Sequence, residues 1–156
     1  RKRFRDFKYQ NVTAEYFGTA RPGEGKITYG DNLKKSTHRK EIEVAGLIHK
    51  IFGGNITIPK ERNAEYVKNP DYVWKDKLWD LKTLTTEKSA DTAIRKGLRQ
   101  IAENPGGIII DYRGKNISID RFEEVMDRRM ARSAKGTTDI LVILKNNEFR
   151  VYRYKK

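Results

Sequence analysis

Apolar residues recur every three to four positions from Ile42 through Val44, Ala45, Leu47, Ile48, Ile51 and Phe52. That is the period of an amphipathic helix. Ser36 or Thr37 stands ahead of it as a cap, and Gly53-Gly54 follows as its stop. Asn55 to Pro59 then reads as a short strand, and Lys60 to Asn69 as a polar connection. Asp71 to Thr83 reads as a β-hairpin, with Lys75-Asp76-Lys77 as its turn and Leu78 to Thr83 as the return strand. A second helix is expected over Glu87 to Glu103, ended by Asn104-Pro105-Gly106-Gly107. The unbroken apolar run within Gly107 to Tyr112 suits a strand covered on both faces. Ser118 or Asp120 caps a third helix that reaches about Ala134, and Thr138 to Leu144 and Glu148 to Tyr154 form a closing strand pair around Lys145-Asn146-Asn147. The order is helix, three strands, helix, strand, helix, two strands. It predicts an α/β fold in which a mixed central β-sheet is flanked by helices, with a crossover helix after the third strand.

The first 36 residues lack such periodicity. They are basic and aromatic, with loop signals at Arg21-Pro22-Gly23-Glu24-Gly25 and Tyr29-Gly30-Asp31-Asn32. We expect a linker-like N-terminal extension over residues 1–36 and a folded domain over residues 37–156. Phe4, Phe7, Tyr9, Tyr16 and Phe17 can pack on that domain or stack on bases between Arg and Lys contacts. The chain starts Arg-Lys-Arg-Phe-Arg, without an initiator Met or signal sequence, and reads as a piece of a longer protein.

Composition narrows the partners. A net charge of +13 and a pI near 9.9 favour a polyanion, nucleic acid first and an acidic protein second. The longest apolar run, Gly106 to Ile110, is far too short to anchor this segment in a membrane. With no cysteine there is neither a disulfide framework nor a thiolate zinc site.

The hairpin carries the chemistry. Side chains alternate along a strand, so Asp80 and Lys82 point one way and Trp79 and Leu81 the other. Asp71 enters on the neighbouring strand after Pro70. Two carboxylates suit a hard divalent cation, Mg²⁺ first with Mn²⁺ or Zn²⁺ as alternatives, and an adjacent ammonium stabilises charge at a phosphate. Asp71 and Asp80 are therefore the candidate metal ligands, and Lys82 the charge-stabilising group. On the first helix Glu41 lies near the centre of the stripe made by Val44, Ala45, Ile48 and Phe52, whereas Glu43 turns towards solvent. A stripe-facing acid needs a cation or a partner, which favours Glu41. Gln100 can orient water or phosphate, and Arg95, Lys96, Arg99 and His38 are candidate nucleic-acid contacts. A second basic cluster runs along Arg121, Arg128, Arg129, Arg132 and Lys135. His38 and His49 lack a third partner for zinc, and His49 reads as a surface residue.

A glutamate helix, a Gly-Gly-punctuated strand, Pro70-Asp71, and Asp80-x-Lys82 followed by a helix and strand resemble the PD-(D/E)xK nucleases. The likeness covers about residues 37–112 and is strongest to C-terminal toxin nuclease domains of contact-dependent growth inhibition and other polymorphic toxins. It implies a restriction-endonuclease-like core and a metal-dependent endonuclease, with Glu41, Asp71, Asp80, Lys82 and Gln100 as catalytic residues. The motif does not separate tRNA from DNA; the aromatic content of residues 1–36, read as exposed and able to stack on unpaired bases, puts tRNA ahead of DNA. The resemblance further implies an acidic cognate immunity protein. It also implies origin at the C-terminus of a secreted or cell-surface bacterial toxin that acts in the target-cell cytoplasm. The alternatives are a metal-independent RNase built on His38 and a non-catalytic basic nucleic-acid-binding module.

Overall fold

The computed structural model describes residues 7–31, 33–60, 69–102 and 105–155. Eight strands form one mixed sheet in the order β1-β8-β7-β6-β5-β4-β3-β2. These are β1 Gln10–Asn11, β2 Ile27–Tyr29, β3 Ile56–Ile58, β4 Tyr72–Trp74, β5 Lys77–Thr83, β6 Gly106–Asp111, β7 Thr138–Ile143 and β8 Phe149–Tyr154. The helices are α1 Thr13–Gly18, α2 Arg39–Ile51, α3 Ala90–Ile101 and α4 Ile119–Ser133. Strands β5, β6 and β7 are parallel, joined through α3 and α4, while β4–β5 and β7–β8 pair antiparallel. The predicted α/β architecture is therefore present, including the crossover helix.

Two cores hold the layers together. On one face Val44, Ala45 and Ile48 of α2, with Phe52 just past its end, pack with Trp74, Trp79, Ile109 and Leu141. On the other, Ile94 of α3 and Phe122, Met126 and Met130 of α4 cover Ile108, Ile110, Ile140 and Val142. Every residue of β6 and β7 is buried, as two covered faces require. Trp79 and Leu81 join the α2 side and Leu78 the α3 side, the alternation expected of the return strand. Gly107 sits directly beneath the Trp79 ring, where an added Cβ would lie 2.4 Å from the indole carbons. Gly107→Ala is expected to cost about 3 kcal/mol, because the fully buried ring has nowhere to move. Denaturant unfolding checks this; an unchanged midpoint would contradict the packing described.

Local chemistry explains the ends of these elements. Ser118 caps α4 by accepting a hydrogen bond from the Arg121 N–H at 3.2 Å. Gly53 and Gly54, at φ +73° and +95°, let the chain leave α2 and turn beneath Arg21. The hairpin turn is tighter than expected. Lys75 and Asp76 alone make it, both with positive φ (54° and 58°), and Lys77 opens β5. Two residues in this conformation match the twist of antiparallel strands, so a third is not needed. The expected second-helix end at Glu103-Asn104, most of the Lys60–Asn69 connection, and Phe4 and Asn32 lie outside the described residues.

The segment read as a linker-like extension is built into the sheet over its described part. Strand β1 pairs with β8, and β2 pairs parallel with β3. Tyr16 is 2% exposed, and its hydroxyl donates to Asp139 at 2.5 Å. Phe7 stacks on Tyr154, and Tyr9 meets Tyr152 edge-on. Short edge strands separated by polar loops carry little periodicity of their own; their order comes from the strands they pair with.

Candidate functional site

The β4–β5 hairpin positions both proposed metal ligands. The Asp71 N–H donates to the Trp79 carbonyl at 2.9 Å, and Asp71 Oδ2 accepts from the Leu81 N–H at 2.7 Å. That clamp holds Asp71 where β4 begins, facing Asp80. Burial first, then the charges of Asp80 and Glu41, together raise the Asp71 carboxyl to about 7 against the pull of the Leu81 N–H. Asp80 and Glu41 are thus both close enough to act on the charge of Asp71.

Asp80 is 4% exposed. Its Oδ2 lies 3.0 Å from Lys82 Nζ, yet it accepts no hydrogen bond of good geometry among the described residues. A buried carboxylate oxygen in this condition is costly. Helix α3 closes over it through Gly97, where a Cβ would stand 3.2 Å from both Asp80 Oδ2 and Ile108 Cδ1. Gly97 brings the helix backbone close and leaves no side chain between α3 and the carboxylate.

Helix α2 contributes from the other side. The Tyr72 hydroxyl donates to the Glu41 carbonyl at 2.6 Å, tying the first turn of α2 to the hairpin. The Glu41 side chain is 25% exposed against 56% for Glu43, the order its place on the apolar stripe predicts. His38 Nδ1 lies 3.6 Å from Glu41 Oε1. Gln100 on α3 accepts from the Asn69 N–H at 3.3 Å and so steadies the chain just ahead of Asp71.

Not every predicted residue joins this group. Arg95 is half-buried and Lys96 and Arg99 are exposed on α3; none has a hydrogen bond or ion pair to the carboxylates among the described residues. Arg129 and Arg132 of the second basic cluster lie 2.8 and 3.7 Å from Asp91, which spends part of that cluster on helix packing. His49, expected at the surface, is half-buried and bonds to the Gly25 carbonyl at 2.9 Å, pinning the 21–25 loop.

Two buried acids were not singled out by sequence reasoning. Asp139 is fully buried, neutralised by Lys77 and Arg153, and accepts a hydrogen bond from the Tyr16 hydroxyl. Asp111, 1% exposed at the end of β6, holds Arg113 and sits 3.3 Å from Lys40. An aspartate closing an apolar strand was the one available signal, and it does not separate a site from a strand end.

Among the described residues no three His, Cys, Asp or Glu side chains converge tightly enough to enclose a metal. The pair Asp71 and Asp80 nonetheless fits a Mg²⁺-like cation. Such ions are commonly held by one or two carboxylates with water and substrate phosphate supplying the rest. The unsatisfied Asp80 Oδ2 and the raised Asp71 carboxyl are both relieved by a divalent charge.

Comparison with known proteins follows the same outline. The structure is similar to a chain of the CdiA-CT/CdiI toxin and immunity complex from Burkholderia pseudomallei, with a TM-score of 0.57 at 17% identity. The match covers 84% of this chain and all of that one, and at such identity it speaks to the fold. No curated protein sequence matches. The family described as Contact-dependent growth inhibition CdiA C-terminal domain matches residues 68–149, a span that takes in Asp71, Asp80, Lys82 and Gln100. The chain belongs to the family of contact-dependent growth inhibition CdiA C-terminal domains.

Proposed function

We propose that this domain is a metal-dependent endonuclease of the PD-(D/E)xK type, deployed as a toxin. The observation that carries the reading is the buried Asp80 oxygen left without a hydrogen bond between Asp71 and Lys82. A purely structural carboxylate at this depth would be hydrogen-bonded on both oxygens, as Asp139 is, whereas Asp80 Oδ2 has only its ion pair with Lys82 among the described residues.

In this reading Asp71 and Asp80 hold the cation. When bound, it supplies Lewis-acid stabilisation of the scissile phosphate and a more acidic water. Lys82 Nζ stabilises charge developing on the phosphate. Glu41 orients the attacking water and accepts its proton at a carboxylate oxygen, with His38 alongside. Gln100 acts through Asn69, keeping Asp71 in register. The cationic surface contributes salt-sensitive affinity that is largely independent of sequence.

Both tRNA and DNA fit this chemistry. The packing of Phe7, Tyr9 and Tyr16 into the fold removes base stacking by those rings as an argument for RNA. We keep tRNA as the first substrate to test. As part of a secreted or cell-surface bacterial toxin, the domain would act in the cytoplasm of a target cell. An acidic immunity protein that covers the cationic site would neutralise it. The similarity to a chain from a toxin and immunity complex supports that partner. Among the described residues no helix is long and apolar enough to cross a membrane.

Incubation with total tRNA and with plasmid DNA, in Mg²⁺, Mn²⁺ or EDTA, tests the reading. Cleavage is expected with metal and not in EDTA. Cleavage that persists in EDTA would transfer the chemistry to His38, and metal-insensitive binding without cleavage would leave a binding module.

A further inference from the structure

Lys40, Glu43, Asp111 and Arg113 form a second charged cluster on the α2 face of the sheet, and the proposed mechanism does not use it. Asp111 accepts from the Arg113 backbone N–H at 2.9 Å, from Nε at 3.0 Å and from Nη2 at 2.9 Å. The guanidinium is thereby held flat by a buried carboxylate. Glu43 Oε1 accepts a further bond from Nη2 at 3.0 Å. Lys40 Nζ lies 3.3 Å from Asp111 and 3.8 Å from Glu43.

The cluster sits beside the candidate site. Asp111 pairs across the sheet with Thr83, the residue after Lys82, and Lys40 precedes Glu41 on α2. Its backbone is about one strand spacing, roughly 5 Å, from the nuclease motif, but Asp111, like Thr83, faces α2 whereas Asp80 and Lys82 face α3. The cluster adjoins the site on the α2 side, through Lys40 beside Glu41. It also lies at the carboxyl ends of the parallel strands β5 and β6, where open α/β sheets bind their ligands.

Comparison with the Asp139 cluster separates a strut from a binding seat. There Arg153 spends Nε, Nη1 and Nη2 on Asp139 and Glu15. Arg113 leaves Nη1 without an acceptor among the described residues, and its side chain is 24% exposed. Lys40 is 45% exposed, and Glu43, the outer carboxylate, is 56% exposed. A solvated glutamate can swing away at little cost, leaving two cations held by one buried anion.

We propose that Lys40 and Arg113 form a seat for a backbone phosphate next to the scissile one, with Asp111 fixing its geometry and the Glu43 carboxylate occupying it when nucleic acid is absent. Asp111 and Glu43 are then positioning residues, and Lys40 and Arg113 the contacting ones. The inference rests on the nuclease reading, because the anion is taken to be a nucleic-acid phosphate.

The test is fluorescence anisotropy with labelled total tRNA and a labelled single-stranded DNA oligonucleotide, in EDTA so that cleavage is suppressed, across a salt series. Arg113→Gln is expected to weaken binding about tenfold and to flatten the log K against log salt slope by about 0.7 to 0.9, one phosphate contact. Lys40→Gln is expected to flatten it similarly. Arg113→Lys keeps a charge, so most of the slope should return. Glu43→Gln is expected to tighten binding about threefold, removing the resident anion. Glu24→Gln, whose acid lies away from the site and pairs only with Arg21 among the described residues, controls for the general gain in positive charge. Unchanged slopes in both Arg113→Gln and Lys40→Gln would overturn the seat while leaving the nuclease reading intact. So would Glu43→Gln tightening no more than Glu24→Gln. Failure of the wild-type protein to bind either probe would overturn both. Should Arg113→Gln melt below the assay temperature, Lys40→Gln and Glu43→Gln carry the decision.

Discussion

Asp80→Asn is expected to abolish metal-dependent cleavage, by ~10³-fold or more, while leaving the metal-free protein at least as stable as wild type. These two effects rarely go together. Replacing a residue that is 4% exposed ordinarily destabilises a fold, because a buried partner is lost. Asp80 differs because Oδ2 accepts no hydrogen bond of good geometry and Asp71 repels it. Asparagine removes that charge, keeps the volume and brings an N–H₂ that can donate to Asp71. The lost contact is the 3.0 Å ion pair to Lys82, whose side chain is 26% exposed, so its ammonium can return to water. Thermal melting in EDTA beside the tRNA and DNA cleavage assays reads both effects. A melting temperature several degrees below wild type would mean that Asp80 is a structural anion, and retained cleavage would remove it from the chemistry.

The pH dependence of stability is the second large effect, and it centres on Asp71. Its carboxyl is raised from the usual 3.8 to about 7 by burial, and then by the charges of Asp80 and Glu41. The folded protein therefore holds this proton more tightly than the unfolded chain does. The contribution to stability is full below about pH 4 and is lost as pH rises through 7. The whole interval amounts to something on the order of 4 kcal/mol. Without metal, this group makes the domain less stable at pH 8 than at pH 5. A divalent cation binds the carboxylate form and offsets the loss, so Mg²⁺ is expected to raise the melting temperature more at pH 8 than at pH 5. Asp71→Asn should flatten the pH profile and abolish the Mg²⁺ response. An identical pH profile in wild type and Asp71→Asn would contradict the assignment.

Much of the site was legible because its signals are local. Asp80-x-Lys82 follows from the two-residue repeat of a strand, and the choice of Glu41 over Glu43 from the turn angle of a helix. Both need only their own element to form. Gln100 was legible as a polar residue near the site, but its bond to the Asn69 N–H joins two elements that the sequence separates by thirty-one positions. The basic helix positions Arg95, Lys96 and Arg99 were identifiable as charges. Where they stand relative to the carboxylates depends on how α3 packs.

By itself the sequence determined the alternation of helices and strands from α2 to β8, the buried character of β6, and the hairpin that carries Asp71, Asp80 and Lys82. Each of these follows from periodicity or turn chemistry within a dozen or so residues. Only the tertiary structure decided that residues 10–29 supply the outermost strands, because edge pairing depends on a partner far along the chain. Only the tertiary structure left Asp80 Oδ2 with an ion pair to Lys82 but no well-aligned hydrogen bond, while both oxygens of Asp139 are bonded. Both are strand aspartates, and the difference lies in what crosses above them. Lys77, Arg153 and Tyr16 meet one, while Gly97 offers no side chain to the other. Burial without a well-aligned hydrogen-bond donor is a property of the assembled layers, and no residue type announces it.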